Sequence, residues 1–211
     1  MLILAQQRLV FLEVPKTAST SVRRMLIAAS DVPLRGAVYA DLPRHLGAVG
    51  YYRRLAAGVE ADLGGVAETF CVIRAPLERL HSWYRYRQRD KVNGLAASTK
   101  AMSFDAFVEG YLAPVVPPYA RAGRQDRFVG YASRVARVDH IFDHARLDVL
   151  EAFVSERLGR QVQLPQTNVS AGAGNAGVAA PLMARYRESH AAEFELYDKV
   201  RAAGVLRRSD A

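Results

Sequence analysis

Cysteine is almost missing from this chain: Cys71 is the single one in 211 residues. No internal disulfide can form, and its place inside an apolar segment favours a buried structural thiol over a nucleophile. No apolar run reaches the roughly 20 residues that span a bilayer. The opening Met1-Leu2-Ile3-Leu4-Ala5-Gln6-Gln7 is too short for a signal peptide and lacks a basic start. These absences point to a cytoplasmic protein without a membrane span. Histidines are scattered, so no metal cluster is expected. Internal repeats are absent as well. Half of the residues are apolar (50%), which excludes a disordered chain. A length of 211 residues suits one domain, 1–211, with a sizeable core.

Acidic residues are in deficit: 21 against 29 basic ones, a net charge of +8. Such a balance asks for an anionic partner, whether nucleic acid, an acidic polymer or a highly charged cofactor, unless it is simple arginine bias. The basic residues are spread along the chain without a long block. Tyr84-Arg85-Tyr86-Arg87-Gln88-Arg89 interleaves rings and guanidinium groups that could stack on bases. It continues a helix described below, however, so no nucleic acid is expected.

Glycine is absent from Leu9 to Asp31. That excludes the Walker phosphate loop, which needs two glycines and ends in Gly-Lys-Ser/Thr. What stands there is still suited to an anion. An apolar strand, Leu9 to Val14, ends at Pro15; Lys16 follows, then Thr17, Ala18, Ser19, Thr20 and Ser21. A helix with Val22, Met25, Leu26 and Ile27 comes next. A lysine and free backbone N–H groups at a helix N-terminus form a phosphate site, with hydroxyl donors beside them. Without glycine, positive φ is disfavoured, so a tight, helical turn is expected. The alternative is a plain strand-to-helix turn capped by Thr17 or Ser19.

A second segment repeats the design. Thr69 to Ile73 reads as a buried strand, Arg74-Ala75-Pro76 ends it, and Leu77, Leu80, His81, Tyr84 and Arg87 follow at helical spacing. Arg74 at the strand end and Ser82 two turns into the helix can converge on one phosphate. The planar fork of arginine meets phosphate oxygens in pairs. Arg79 and Arg85 add positive charge nearby, whereas Arg87 and Arg89 read as a solvated face. Two such sites suggest a ligand with phosphate at both ends.

Val14-Pro15-Lys16-Thr17-Ala18-Ser19-Thr20-Ser21 and Phe70-Cys71-Val72-Ile73-Arg74-Ala75-Pro76-Leu77-Glu78-Arg79-Leu80-His81-Ser82-Trp83-Tyr84 together resemble the sulfotransferases that use 3′-phosphoadenosine 5′-phosphosulfate (PAPS). The likeness is greatest to the carbohydrate branch that includes the heparan 2-O-sulfotransferases. It implies that the first motif holds the 5′-phosphosulfate end and the second the 3′-phosphate through Arg74 and Ser82. Val138 to Asp143 resembles a further family strand, followed by a helix ending near Gly159. Leu164-Pro165-Gln166-Thr167-Asn168-Val169-Ser170 is similar to the late loop that closes over the nucleotide, which implies cofactor roles for Asn168 and Ser170. The chain departs from the family at Ala75, where many relatives have Asn, and at Asp143, where many have Glu. The implied fold is three-layer α/β, a P-loop-like, largely parallel sheet with helices on both faces and the nucleotide at the strand carboxyl ends.

The resemblance implies in-line sulfuryl transfer to a hydroxyl, without a metal. Lys16 is placed to stabilise the leaving phosphate, by analogy with phosphoryl transfer. A general base is needed, and histidine suits neutral pH. His45 lies between the two motifs and before a helix with Val49, Tyr52, Leu55 and Val59, where the family's catalytic histidine falls. Glu13 is the rival. His81 reads as structural, His140 as a strand residue, and His144 and His190 as surface residues. For the acceptor, a saccharide is expected, with Tyr51, Tyr52 and Trp83 as a platform and Arg44, Arg53 and Arg54 for an acidic group. Two readings compete with sulfotransfer: a phosphoryl-transfer enzyme with an atypical loop, and a non-catalytic nucleic-acid or polyanion module. The Gly/Ala-rich 171–180 reads as a mobile loop, and Leu182 to Val200 as one C-terminal helix.

Overall fold

The computed structural model of the protein describes residues 1–29, 43–131, 135–165 and 177–210. One sheet contains β1 (Leu2–Leu4), β2 (Leu9–Phe11), β3 (Glu68–Ile73), β4 (His140–Asp143) and β5 (Val205–Arg207), in that spatial order. β2, β3 and β4 pair in parallel, and β1 and β5 are antiparallel edges. The α/β class is thus as expected, with a parallel centre. Neither edge strand was anticipated. Three-residue strands leave too short a pattern to read.

The parallel strands are apolar on both sides, as doubly covered strands must be. Leu9, Phe11, Phe70, Val72 and Phe142 face α1 (Ser19–Ala29) and α7 (Leu147–Leu158), against Val22, Leu26, Leu150 and Val154. Val10, Leu12, Cys71, Ile73 and Ile141 face the other way. There they meet Tyr51 from α2 (Ala48–Arg54), Val59 from α3 (Ala56–Leu63), and Leu196 and Val200 from α9 (Ala191–Ala203). Successive residues alternate between the faces with a period of two. Cys71 sits in the middle of this core, where burial pushes its thiol pKa well up, in keeping with an inert structural role.

A third apolar cluster joins α4 (Pro76–Arg87), α5 (Phe104–Leu112) and α8 (Ala180–Ser189) through Leu80, Phe107 and Tyr186. The expected single C-terminal helix is two, α8 and α9, broken at His190 (φ −121°, ψ 27°). His190 is not a surface residue: it is buried, with its ring against Tyr111 and Tyr186. The break lets α8 pack on α5 while α9 packs on the sheet. Among the described residues, no helix is long and apolar enough to cross a membrane.

Candidate functional site

Three parallel strands release the chain at the same edge of the sheet. After β2 the backbone enters the Pro15–Ala18 turn before α1. Lys16 has φ 69° and Ala18 φ 59°, while Thr17 between them does not have positive φ. The expectation of a tight helical turn is therefore corrected: the loop takes positive φ twice without glycine. The left-handed conformation costs an L-residue roughly 1–2 kcal/mol, so the turn is strained by its neighbours. Alternating φ sign gathers successive N–H groups into a concave nest for an anion. No described residue accepts from the backbone N–H groups of Lys16 to Thr20. The Thr17 hydroxyl donates to the Val14 carbonyl at 2.9 Å and is fully buried. Thr17 thus fastens the turn, and its hydroxyl is not a free donor.

Glu13 is fully buried, and its carboxylate is ringed by cations. Arg23 approaches Oε1 at 2.6 Å, the Met1 amino group reaches the same oxygen at 3.0 Å, and Arg44 reaches Oε2 at 2.9 Å. Burial pushes the Glu13 pKa up, but hydrogen bonds from Arg44 and the amino group outweigh it and hold the carboxyl below its ordinary 4.5. So placed, Glu13 is a poor proton acceptor. Arg44 also donates to the Thr20 hydroxyl at 2.9 Å, tying the loop before α2 to the first turn of α1. The His45 Nδ1 lies 2.8 Å from the Glu13 carbonyl oxygen. A carbonyl only accepts, so Nδ1 carries the hydrogen and Nε2 of the neutral ring keeps its lone pair.

β3 delivers Arg74, whose backbone is clamped at two points by the Gln125 amide. Arg74 N–H donates to Oε1 at 2.9 Å, and Nε2 donates to the Arg74 carbonyl at 2.8 Å. Gln125 begins the short helix α6 (Gln125–Phe128) and is itself held through its N–H by Glu193 Oε1 at 2.9 Å. The Arg74 Nε donates to Glu78 at 3.1 Å, one turn on, which leaves the two terminal nitrogens without a described protein partner. Arg79, expected nearby, turns away. It is buried, donates to the Ala122 and Gly123 carbonyls and pairs with Glu193 at 3.5 Å. Arg87 is likewise not a solvated residue; it is buried and donates to the Tyr119 and Arg121 carbonyls.

These loops enclose a cavity of about 570 Å³, within the range of small-ligand sites. Lys16, Ala18, Ser19, Thr20 and Ser21 line it from the first motif, and Arg74 and Ser82 from the second. Arg44 and His45 join them, together with Trp83, Tyr86, Arg89 and His144. Lys16 Nζ sits 3.2 Å from the Tyr86 ring centroid and 5.1 Å from that of Trp83. Burial, then the charges of Arg89, Lys91 and Arg87, push its pKa down to about 7. Without an anion, this crowd of cations repels itself.

The family model described as the sulfotransferase family matches residues 1–140. The chain belongs to that family. The match contains both strand-to-helix segments, and sulfuryl transfer to an acceptor is the activity that belongs to it. No curated protein matches the chain. In this sulfotransferase the two motifs, separated by 48 residues in sequence, meet at one cavity. Tyr51 and Tyr52 do not reach it. Tyr51 is core, and the Tyr52 hydroxyl lies 3.0 Å from Thr69 Oγ1, near the opposite end of β3. The expected acceptor platform from α2 is corrected accordingly; of those aromatics Trp83 alone lines the cavity. Asn168 and Ser170, and most of the Gly/Ala-rich segment, lie outside the described residues.

Gln125 and His144 were missed by sequence reading. Gln125 acts on backbone atoms, which leave no pattern. His144 looked like surface because its neighbour across the sheet could not be known. Among the described residues, no group of three or more His, Cys, Asp or Glu is placed to hold a metal ion.

Two substitutions test this site. Ala18→Gly removes the left-handed strain and should leave thermal stability unchanged or raise it by up to about 1 kcal/mol, instead of the loss glycine causes elsewhere. A lowered melting temperature would refute the strained turn. Glu13→Gln should cost about 2 kcal/mol at pH 7, less than a fully buried pair, because of its three cationic partners only the Met1 amino group is buried while Arg23 and Arg44 stay partly solvated. The folded pKa is below the ordinary 4.5, so this stabilisation is complete above that pH and disappears as pH falls through the folded value. Denaturant titrations of both proteins should therefore converge in acid.

Proposed function

We propose that residues 1–211 form one catalytic unit that moves a sulfuryl group from PAPS to an acceptor hydroxyl. One observation carries this reading: two sets of anion donors without a partner among the described residues, the backbone N–H groups of the Lys16 turn and the terminal nitrogens of Arg74 with the Ser82 hydroxyl, line a single cavity. A ligand with negative charge at two places suits that arrangement, and a compact nucleotide with charge at one place leaves half of it unused. The donor set fits PAPS by this test. The sheet takes strands from both ends of the chain, which supports one unit across residues 1–211.

When bound, PAPS supplies the sulfuryl group and a phosphate leaving group. The N–H groups of Lys16 to Thr20 would hold the phosphosulfate, with the Ser19, Thr20 and Ser21 hydroxyls beside them. Arg74 and Ser82 would hold the 3′-phosphate. Lys16 has the task of neutralising charge that develops on the leaving phosphate. Its pKa of about 7 without an anion reflects burial and neighbouring cations. An anion in the cavity offsets both and restores the ammonium. His45 is the general base: Glu13 O fixes the tautomer, and Nε2 takes the acceptor's proton. Glu13 serves as the anchor for this arrangement rather than as the base. A saccharide acceptor, as in the heparan 2-O-type branch, agrees with the motif resemblance and with Arg44 at the cavity.

Adenosine 3′,5′-bisphosphate should raise the melting temperature more than ATP does in differential scanning fluorimetry. Equal stabilisation by the two nucleotides would end the PAPS reading. His45→Ala should keep bisphosphate binding while lowering transfer of labelled sulfate by about 10²–10⁴-fold. Unchanged transfer in that variant would remove His45 from the base role.

A further inference from the structure

We infer that His144 is a third ligand of the nucleotide 3′-phosphate, closing with Arg74 and Ser82 a three-sided anion site. The inference rests on the PAPS reading above. It concerns a residue beyond the stretch that matches the family model, which ends at His140.

The sheet register brings these groups together. β3 and β4 run in parallel with Ile73 opposite Asp143, so the next residues, Arg74 and His144, leave the sheet side by side. Adjacent strands lie about 4.8 Å apart, a separation at which two side chains can share one phosphate. His144, Arg74 and Ser82 all line the same cavity.

The polar groups around His144 are disposed for an incoming anion. The Asp143 carboxylate is buried and accepts from the Ala145 N–H at 3.0 Å, so it is occupied by its own turn. The Glu78 carboxylate is engaged by Arg74 Nε. Ser82 and the imidazole of His144 have no hydrogen-bond, ion-pair or ring partner among the described residues, and the Glu78 carboxylate acts on His144 only through its field. A half-buried histidine with a purely structural role normally finds a partner. Burial, followed by the charge of Arg74, pushes the His144 pKa down to about 4. The ring is therefore neutral near pH 7 and offers one N–H without adding to the repulsion around Arg74. A phosphate placed between them accepts from the guanidinium fork, the hydroxyl and the imidazole together.

Calorimetric titration with adenosine 3′,5′-bisphosphate and with AMP, which lacks the 3′-phosphate, isolates this contact. Wild-type protein should prefer the bisphosphate. His144→Phe, which keeps a ring without an N–H, and His144→Ala should each weaken the bisphosphate about tenfold and AMP by less than about twofold. His144→Gln, with an amide N–H, should recover part of the loss. If both ligands weaken equally, or the preference survives intact in Phe and Ala variants, His144 does not touch the 3′-phosphate and the inference fails alone. If wild-type protein binds the two ligands equally, the PAPS reading fails and the inference falls with it.

Discussion

The parallel ladder of β2, β3 and β4 is the constraint on which the site depends. Parallel pairing makes every strand end at the same edge, so loops far apart in sequence emerge together. Phe11 pairs with Phe70, and Ile73 with Asp143. This places the Lys16 turn, Arg74 and His144 around one cavity. An antiparallel β3 would carry Arg74 to the opposite edge. Apolar residues on both faces hold the ladder, which explains why α1 and α7 must cover one face and α2, α3 and α9 the other. Burial of Phe11, Phe70 and Phe142 is thus indirectly what positions the polar groups.

Electrostatics at the site follows an ordered division of labour. Glu13 is withdrawn from water and its charge is spent on Arg23, Arg44 and the Met1 amino group. That offsets part of the positive charge at one corner and fixes the loop carrying His45. Among the described residues Lys16 has no such acid; it rests on Tyr86 with other cations close by. An unpaired, desolvated ammonium of this kind is costly in a free protein and useful toward an anionic ligand. Strain is placed similarly. Lys16 and Ala18 hold left-handed backbone where glycine would be easier, and Thr17 fastens the turn through the Val14 carbonyl. Positive φ and a desolvated charge coincide at the Lys16 turn, as is common where a fold stores cost at a functional site.

Legibility of this chain divides by the range of the interactions involved. The α1 and α7 helices, the β3 strand and the Gly159 terminus were readable because caps, periodicity and punctuation act over a few residues. The break at His190 was not, because either side continues an acceptable helical pattern and packing of α8 on α5 decides. Absence of glycine suggested a helical turn after β2; local propensity lost there to the surrounding core. Arg79 and Arg87 looked like part of a basic surface, yet their guanidinium groups satisfy carbonyls of the 119–123 segment. A helix pattern tells which side an arginine faces only roughly, and long side chains reach past it. Tyr51 and Tyr52 were misplaced for the same reason.

The amino-acid sequence by itself determined the α/β class, the two strand-to-helix segments and membership of the sulfotransferase family, since each is written in contiguous residues. Tertiary structure alone decided that Glu13 anchors cations, that Gln125 clamps Arg74, and that His144 shares a cavity with Arg74 and Ser82. Those relations join residues brought together by strand register. Register is set by burial of the whole sheet, a collective property that no short stretch of chain records.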